Sequence, residues 1–367
     1  MCHIVRQFAL TVAFTAGLYG ILLGISYLVV PPLPHRGWMD AWDTEGSLLS
    51  TAPKYVYLGR GELDVTEPKV LLIGASNTGV GLRRKDVQVL LPCAKVSNLA
   101  LGGANISELR QIADLVRQAQ SPRARQSNVF VLGIWFGMFT NTDQNWPAHP
   151  LDTDLDVERY RYGFERRSAN GPVALVPASW LSRAVVLIRP YLLLERVARD
   201  MSSSLRTGLF NKAMVLDEAE TEKRSLDQAG KTQTVAMWRQ LMGPRNEIAQ
   251  TQVGILRALI EELLNAGNKV VLVDMPVAPW FTAATPWEPS YVRALEVTIG
   301  RFAGRPGFKV MRTDDLRADE GFTDEVHPKP HLARALAARL ATRLGPGICK
   351  GAEATRQTGV SASRAAL

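Results

Sequence analysis

The sequence is poor in cysteine, which disfavours several classes of small protein and metalloprotein. Only three cysteines occur among the 367 residues, Cys2, Cys93 and Cys349, and no two of them form a CxxC pair. A zinc ribbon, an iron–sulfur protein or a disulfide-stapled miniature fold needs more cysteines or closer spacing. Cys93 and Cys349 can form one disulfide bridge in an oxidising compartment, and two isolated buried thiols are the alternative.

The chain also lacks a strong charge imbalance. Lysine and arginine number 43 against 35 acidic residues, which gives a formal net charge of +8. This excess favours an anionic surface or polymer as a partner but does not identify nucleic acid, and we expect no nucleic-acid partner. Because 46% of the residues are hydrophobic, the chain can bury a substantial core as one large domain or two small ones.

An uncharged apolar run near the N-terminus predicts a membrane anchor. It extends over 23 residues, from Phe8 to Val30, enough for a helix to cross a hydrocarbon core of roughly 30 Å. A cleaved signal peptide is the alternative, but the run ends in VVPPLP and not in a small-x-small cleavage site. We expect residues 1–7 to be a cytoplasmic tip, 8–30 a transmembrane helix and 31–68 a linker and the beginning of the domain. The domain itself is then periplasmic or extracellular, attached to the cytoplasmic membrane.

Short apolar runs alternate with amphipathic helical patterns in the rest of the chain, as in an α/β fold with a mostly parallel sheet covered on both sides. The predicted strands are Val70 to Ile73, Ala94 to Leu99, Val129 to Leu132, Val270 to Val273 and Phe308 to Met311. The predicted helices include Ser107 to Gln118, Val253 to Ala266 and His331 to Leu344, the last with Leu332, Ala335, Leu336 and Leu340 facing inward.

A long insertion is predicted at about 141–247, because a connection of this length must contain structure of its own. Within it, Pro172 to Val197 is apolar but carries Arg183 and Arg189, so it is a poor membrane span. We interpret it as a helix packed on the domain, and a surface docked on the bilayer or on a membrane partner is the alternative. The domain is expected to extend over 69–349, and 350–367 to be a disordered tail.

A turn of small residues follows the first predicted strand and presents a serine. The turn is GASNTG, Gly74 to Gly79, and it would hold Ser76 at the carboxyl end of the sheet, where open α/β folds bind their ligands. Ser76 can be a nucleophile there, whereas phosphate binding or a simple change of direction are the alternatives. The turn lacks the GxxxxGK[ST] of a P-loop, the complete GxGxxG of a dinucleotide site and the GxSxG of an α/β-hydrolase.

A DxxH motif precedes the last helix. A serine nucleophile needs a base to take its proton, and a histidine base needs an acid to fix its tautomer. In this motif His327 is the candidate base and Asp324 the candidate acid. An acid that caps a turn beside an ordinary surface histidine is the alternative. A metal site on His327 and His331 is disfavoured because the intervening prolines prevent helical spacing. We therefore expect neither a metal nor a cofactor.

These motifs together resemble the SGNH, or GDSL-like, hydrolase and acyltransferase superfamily. Ser76 matches the block I nucleophile, and Asp324 and His327 match the block V DxxH. The segment NLALGG, which ends at Gly103, resembles the block II turn. The resemblance covers roughly residues 69 to 140 and 268 to 345 and implies a flavodoxin-like three-layer α/β/α sandwich. It also implies that the backbone amides of Ser76 and Gly103 hold the oxyanion.

Two positions depart from the family pattern. Ala75 replaces the aspartate of GDS, and the block III GxND is replaced by GIWF, which begins at Gly133. The asparagine donor of the oxyanion hole is therefore missing, and losing one such donor costs roughly a hundredfold in rate. Candidates to replace it are Asn77, Asn105 and the Trp135 indole.

The anchor, the SGNH-like domain and the insertion together resemble the envelope-modifying branch of the superfamily. That branch includes alginate and related polysaccharide O-acetyltransferases and the D-alanyl transfer protein of teichoic acid modification. The resemblance implies an acyltransferase or esterase that acts on O-acyl groups of an exported cell-envelope polysaccharide beside a multi-pass membrane acyltransferase. Arg83, Arg84 and Lys85 are candidate contacts to an anionic polymer, and a solvated helix face is the alternative.

Two other classes of function remain as alternatives. One is a catalytically inactive SGNH-like protein that binds a glycan or assembles a synthase, for which the altered block III is the motivation. The other is a lipase or thioesterase that uses the apolar segment from Pro172 to Val197 as a lid. Dependence on Ser76 separates an enzyme from the first alternative, and preference for acyl-chain length separates acetyl chemistry from the second.

Overall fold

A computed structural model provides the structure of the chain and describes residues 2–30, 38–43, 47–140, 153–169, 171–210, 218–345 and 348. The predicted linker prolines at 31–34, the beginning of the insertion, Cys349 and the predicted tail at 350–367 lie outside these residues. Cys93 is disulfide-bonded.

A five-stranded, fully parallel sheet forms the centre of the protein in the order β2-β1-β3-β6-β7. Its strands coincide with the apolar runs of the sequence, and β1 and β3 are buried along their whole lengths, as expected of parallel strands covered on both faces. A separate antiparallel hairpin, β4 and β5, lies in the insertion. The strands are β1 (Lys69–Gly74), β2 (Lys95–Asn98), β3 (Asn128–Ile134), β4 (Glu165–Ser168), β5 (Gly171–Ala174), β6 (Lys269–Asp274) and β7 (Phe308–Met311).

Helices connect the parallel strands, and the α/β class predicted from the sequence is confirmed. α5 begins with a capping box, in which Asn105 and Glu108 each accept a hydrogen bond from the other's backbone amide. The described helices are α1 (Cys2–Val29), α2 (Ala52–Gly59), α3 (Ser76–Gly81), α4 (Arg84–Leu90), α5 (Ile106–Ala119), α6 (Pro122–Arg125), α7 (Asp154–Arg161), α8 (Leu181–Phe210), α9 (Glu218–Lys223), α10 (Gln228–Met242), α11 (Gln250–Asn265), α12 (Pro279–Ala284), α13 (Glu288–Phe302) and α14 (330–345).

The N-terminal helix is long and apolar enough to cross a membrane. It meets this criterion over His3–Val29, 27 residues, and no other described helix does. None of its most apolar stretch is buried in the protein. A signal sequence near the N-terminus can meet the same criterion, and the helix does not define the side of the membrane on which the domain lies.

Two details of the structure, in the segment from Pro172 to Val197 and on α14, differ from the sequence-based expectations. The segment from Pro172 to Val197 is not one helix, because prolines at 172 and 177 lack the amide donors of a helix interior. Its first part forms β5, and α8 begins at Leu181 and continues to Phe210. Within the 31–68 region, the helix α2 is largely buried. On α14, Ala335 is exposed, and Ala333 and Ala337 face the core in its place.

Candidate active site

The carboxyl ends of the parallel strands lie at one edge of the sheet, and the helix that carries the predicted nucleophile begins there. β1 ends at Gly74, and Ser76 is the first residue of α3, after Ala75 in an extended N-cap conformation. The turn is tight: a Cβ on Gly74 would lie 2.2 Å from Oγ1 of Thr78 and 2.6 Å from the carbonyl oxygen of Gly133. Glycine is therefore required at this position, because any side chain would clash with these two atoms.

Ser76 is partly accessible at the start of α3. Its side chain is half-buried, and its amide, at the first helical position of α3, has no acceptor within the helix. Its hydroxyl makes no hydrogen bond to any residue that the structure describes. Hydrogen bonds between a nucleophile and its base are often long or absent in a protein without substrate.

Asp324 and His327 form the acid–base pair that the DxxH spacing predicts. The Nδ1 atom of His327 lies 2.6 Å from Oδ2 of Asp324. The other carboxylate oxygen, Oδ1, accepts hydrogen bonds from the backbone amides of Val326 at 3.0 Å and His327 at 2.9 Å. Because the carboxylate of Asp324 can only accept, Nδ1 of His327 carries the proton of their hydrogen bond. Nε2 therefore keeps its lone pair and can accept a proton from another group.

The pair also shifts the pKa values of both of its members. Burial lowers the pKa of His327, but the hydrogen bond and the charge of Asp324 outweigh burial, so the net pKa is above the ordinary 6.5. For Asp324, burial raises the pKa, and the bond to His327 together with two backbone donors brings the net value below 3.8. Both shifts stabilise the imidazolium–carboxylate pair that forms once Nε2 of His327 has accepted a proton.

The nucleophile helix packs against the loop that carries this pair. A Cβ on Gly81, the last residue of α3, would lie 3.1 Å from Cγ of Pro328, which directly follows His327, and 2.9 Å from Cε of Met275. The loop is closed by a hydrogen bond from the amide of Thr323 to the carbonyl of His327 at 3.0 Å. The structure therefore brings the predicted block I and block V segments together, although they are about 250 positions apart in the chain.

The predicted block II turn contacts the nucleophile helix through a buried asparagine. Nδ2 of Asn98 donates to the carbonyl of Gly79 at 2.9 Å, and its Oδ1 accepts from the amide of Ala100 at 3.3 Å. Gly103 has a φ of +70°, and no atom lies within 4 Å of the position that a Cβ would take. The amide of Gly103 donates no hydrogen bond within the described part of the chain, so it is available as an oxyanion donor.

Two of the candidate replacement donors are buried amides with unused hydrogens. Asn77 and Asn105 are both fully buried, and the Nδ2 of each has no hydrogen-bond partner among the described residues. Their oxygens are used, by the amide of Thr78 at 2.9 Å and by that of Glu108 at 3.0 Å. An unsatisfied buried donor costs about 1–3 kcal/mol, and one such donor is carried by Asn77, directly after Ser76, and one by Asn105, two residues after Gly103.

Burial favours the neutral form of the acid beside Asn105. Burial raises the pKa of Glu108 to about 8, opposed by the hydrogen bond from the Asn105 amide and reinforced by the charge of Asp154. An ionised carboxylate at this position would repel a developing oxyanion, whereas the neutral acid does not.

The block III position is filled by aromatic side chains. Trp135 is buried, and its ring packs edge-on against Trp238 at 4.9 Å and tilted against Phe136 at 5.1 Å. Nε1 of Trp238 donates to Glu325 Oε1 at 2.8 Å. Since Glu325 directly follows Asp324, the aromatic pair connects the end of β3 to the acid–base loop.

The insertion reaches the site through α9 and α10, which sequence reasoning did not foresee. Besides Trp238, the insertion contributes Ser225, which accepts from Nζ of Lys329 at 3.1 Å, and Arg224, whose charge lowers the pKa of His327 slightly. Glu222 accepts from the backbone of His331 at 2.7 Å and pairs with its ring. The apolar helix that follows Pro172 contacts α1 and α2 instead, so α10 is the part of the insertion that borders the candidate site.

The basic residues after the nucleophile turn are paired within the protein. Arg83 contacts Asp86 at 2.6 Å and Glu218 at 2.9 Å, and Lys85 contacts Glu218 at 2.5 Å. Arg84 lies 3.7 Å from Asp40. Their charge is thus largely neutralised by α9 and neighbouring acids, which weakens the case for this cluster as a contact to an anionic polymer.

A buried acid that the sequence did not single out lies at the end of β6. Asp274 accepts a hydrogen bond from the hydroxyl of Tyr291 at 2.6 Å and lies 3.6 Å from Arg317 and 3.7 Å from Arg312. Burial raises its pKa, against the opposing effects of Tyr291 and the two arginines. These partners satisfy the carboxylate, so we assign it to holding α13 and the segment after β7 against the end of β6.

No group of three or more His, Cys, Asp or Glu residues suited to a metal ion occurs among the residues that the structure describes. No protein-family model matches the chain, and no curated protein matches it.

The shifted pKa of His327 can be measured directly. In a proton NMR titration we expect its ring to have a midpoint above 6.5, and Asp324→Asn to lower that midpoint because burial then acts without the opposing charge. His327→Gln assigns the resonance among the five histidines, and Glu222→Gln, which alters the partner of His331, serves as the control. A midpoint that does not respond to Asp324→Asn would contradict the assigned pair.

The pKa shifts of His327 and Asp324 determine how the stability of the fold depends on pH. A raised folded-state pKa of His327 stabilises the fold below its unfolded pKa, and this contribution is lost as pH rises through the folded pKa. The lowered pKa of Asp324 has the opposite sense: its contribution is present above the unfolded value and lost as pH falls through the folded value. Both contributions are therefore fully present between the unfolded-state pKa of Asp324 and the unfolded-state pKa of His327, near 3.8 and 6.5.

Proposed function

We propose that the protein is a membrane-anchored serine acyltransferase or esterase of the SGNH type, acting on O-acyl, in particular O-acetyl, groups of an exported cell-envelope glycan. The observation that carries the proposal is the Asp324–His327 pair, bonded at 2.6 Å through Nδ1, on a loop that packs against the helix begun by Ser76. A base with a free Nε2, an orienting acid and a serine at a helix start are the parts that acyl transfer requires.

The chemistry follows from these positions. Oγ of Ser76 attacks the acyl carbonyl carbon while its proton passes to Nε2 of His327, and the amides of Ser76 and Gly103 stabilise the oxyanion. The bond to the donor alcohol then breaks, and the alcohol oxygen takes the proton from His327. A sugar hydroxyl or water next attacks the acyl-serine by the same steps in reverse order. Transfer and hydrolysis differ only in this acceptor.

The sheet supports the finer fold assignment within this proposal. The central strands, counted in chain order without the hairpin, run 2-1-3-4-5, the order of flavodoxin-like doubly wound folds. Such folds bind ligands at the carboxyl ends of the strands, next to the point where the strand order reverses. Ser76 follows β1, which is one of the two strands at that point.

The compartment is part of the proposal. A helix able to cross the membrane lies at the N-terminus, and Cys93 is disulfide-bonded. Disulfides persist in oxidising compartments and are rare in the cytosol. Together they favour a single-pass protein whose domain lies on the periplasmic or extracellular side of the cytoplasmic membrane. Confinement to that surface raises the effective concentration of both acyl supply and polymer.

The partners follow from the resemblance and from charge. The formal net charge of +8 suits an anionic polysaccharide, although Arg83 and Lys85 are paired with Glu218 and leave the contact to other cations. A multi-pass membrane acyltransferase would supply the acyl group on the outer surface.

A mechanism-based label tests the proposal. The full chain in detergent is treated with a fluorophosphonate, which modifies a serine only where a base activates it, and the adduct is located by mass spectrometry. We expect the adduct on Ser76 and its loss in Ser76→Ala, with Ser202→Ala, an exposed serine of α8, as the matched control. Turnover of acetyl against longer p-nitrophenyl esters then separates acetyl chemistry from a lipase or thioesterase.

A second candidate is an inactive glycan-binding or assembly protein. It is favoured by the missing block III asparagine and by the Ser76 hydroxyl, which has no hydrogen-bond partner among the described residues. A folded chain that takes no label and turns over no ester would favour this candidate over the enzyme.

A further inference from the structure

An exposed apolar stripe runs along α8, the longest helix of the insertion. Five large side chains form this stripe, and their exposed fractions are 66% for Leu187, 48% for Tyr191, 67% for Leu194, 62% for Met201 and 63% for Leu205. At about 100° per residue these positions fall within an arc of about 80°. Solvent-exposed helix faces are ordinarily polar, so the composition of this face needs a physical reason.

Three charged residues of the same helix contact the domain. The guanidinium of Arg196 donates to the carbonyl of Ser47 at 3.0 Å, and that of Arg199 to the carbonyl of Ser50 at 2.8 Å. Glu195 pairs with the buried Lys54 of α2. These charged side chains dock the helix on the domain, while the apolar stripe is presented outward.

α8 is also fastened to the end of the apolar N-terminal helix. Arg189, which is buried, donates from Nη2 to the carbonyl of Ser26 at 3.1 Å and to that of Val30, and its guanidinium lies 4.0 Å over the ring of Tyr27. The last carbonyls of a helix accept no hydrogen bond from within the helix, and Arg189 supplies a donor at this end. A cation at this end also offsets the negative end of the helix dipole. Ser26 and Val30 are buried by this contact, whereas most of α1 is exposed.

These contacts fix where α8 lies relative to a bilayer. If α1 crosses the hydrocarbon core, its last two turns lie where the chain leaves that core, and α8 is bonded to those turns. We propose that α8 is an interfacial helix whose stripe is inserted into the leaflet on the domain side of the membrane. Interfacial helices bury an apolar face by about 5–10 Å at the boundary between headgroups and acyl chains.

The neighbouring side chains agree with this depth. Trp180, just before α8, is 58% exposed, and the guanidinium of Arg183 lies 5.6 Å over its ring. Tryptophan is enriched at membrane–water interfaces, and arginine side chains there keep their charge at headgroup level. With α1 and α8 both in contact with lipid, the domain has two attachments in place of one, which restricts its rotation above the membrane. This inference does not depend on the proposed acyl transfer.

Spin labels on the full chain test the proposal. Leu194→Cys and Leu205→Cys, in a background without other reactive thiols, are labelled and reconstituted into phosphatidylethanolamine–phosphatidylglycerol vesicles. The matched controls are Val89→Cys on α4 and Val297→Cys on α13, exposed valines with 79% and 60% accessibility. We expect collisions with oxygen to exceed those with a water-soluble nickel chelate at 194 and 205, and the reverse at 89 and 297.

Each other outcome overturns the proposal in a recognisable way. Nickel collisions at 194 and 205 that match those at 297 would place the stripe in water, as expected if a separate protein normally covers it. Spin–spin broadening that disappears on dilution with unlabelled chain would identify a second copy as the occupant. Because all four positions are exposed, labelling them leaves the core unchanged, and the oxygen-to-nickel ratio reports lipid contact directly.

Discussion

Replacing Asp324 with asparagine is expected to lower ester turnover by about a thousandfold or more while leaving the loop folded. The asparagine Oδ1 can still accept from the amides of Val326 and His327, which Asp324 does at 3.0 and 2.9 Å. The amide nitrogen, however, then faces Nδ1 of the histidine and donates to it. The ring is held in the tautomer with its proton on Nε2, and that nitrogen can no longer take the proton of Ser76.

The control for this variant is Glu325→Gln. Glu325 is the adjacent acid, and its Oε1 accepts from Trp238 at 2.8 Å, a bond that glutamine retains. We expect it to change turnover by no more than a few-fold, because it removes a nearby charge but no proton-relay group. The measurement is kcat/KM for p-nitrophenyl acetate over a range of pH, with circular dichroism as a check on folding. Equal losses in the two variants would show that general electrostatics, and not the tautomer of His327, governs the rate.

The central sheet was predictable because its signals are local. Parallel strands buried on both faces require continuous apolar runs, and β1 and β3 have them. The capping box at Asn105 and Glu108 and the apolar face of α5 likewise lie within a few turns of chain. The Asp324–His327 bond was predictable for the same reason, since the two residues are three positions apart and share one loop.

The parts that were not predictable depend on contacts between distant segments. Nothing in the spacing of Arg83 and Lys85 indicates that Glu218, more than 130 positions away, neutralises them. The contact of Trp238 with Trp135 across the insertion is of the same kind. The periodicity of α8 marks an amphipathic helix but not which face docks, and here the charged face docks because its arginines find backbone carbonyls.

The missing block III donor leads to the second large expected effect. Asn77 and Asn105 each have a buried Nδ2 without a partner among the described residues, and an oxyanion would supply the acceptor that each lacks. We expect Asn105→Gly to lower kcat by about a hundredfold. Asn77→Ala should have the smaller effect, because Asn105 lies two residues from Gly103 and shares its turn with that backbone donor.

The two substitutions are chosen so that stability changes little. Glycine is tolerated at an N-cap, so Asn105→Gly should cost about 1 kcal/mol or less. In Asn77→Ala the amide of Thr78 keeps its bond to the carbonyl of Ala75 at 3.0 Å. Thr51→Gly, which removes the cap of α2, is the control for loss of a cap alone. Thermal unfolding and kcat are measured on the same samples.

If both asparagine variants keep kcat within a few-fold of the parent chain, neither amide holds the oxyanion, and the Trp135 indole becomes the donor to test. A loss confined to Asn105→Gly would mean that the third oxyanion donor comes from the turn after β2 and not from the end of β3. These two positions lie on opposite sides of β1, the strand that precedes Ser76.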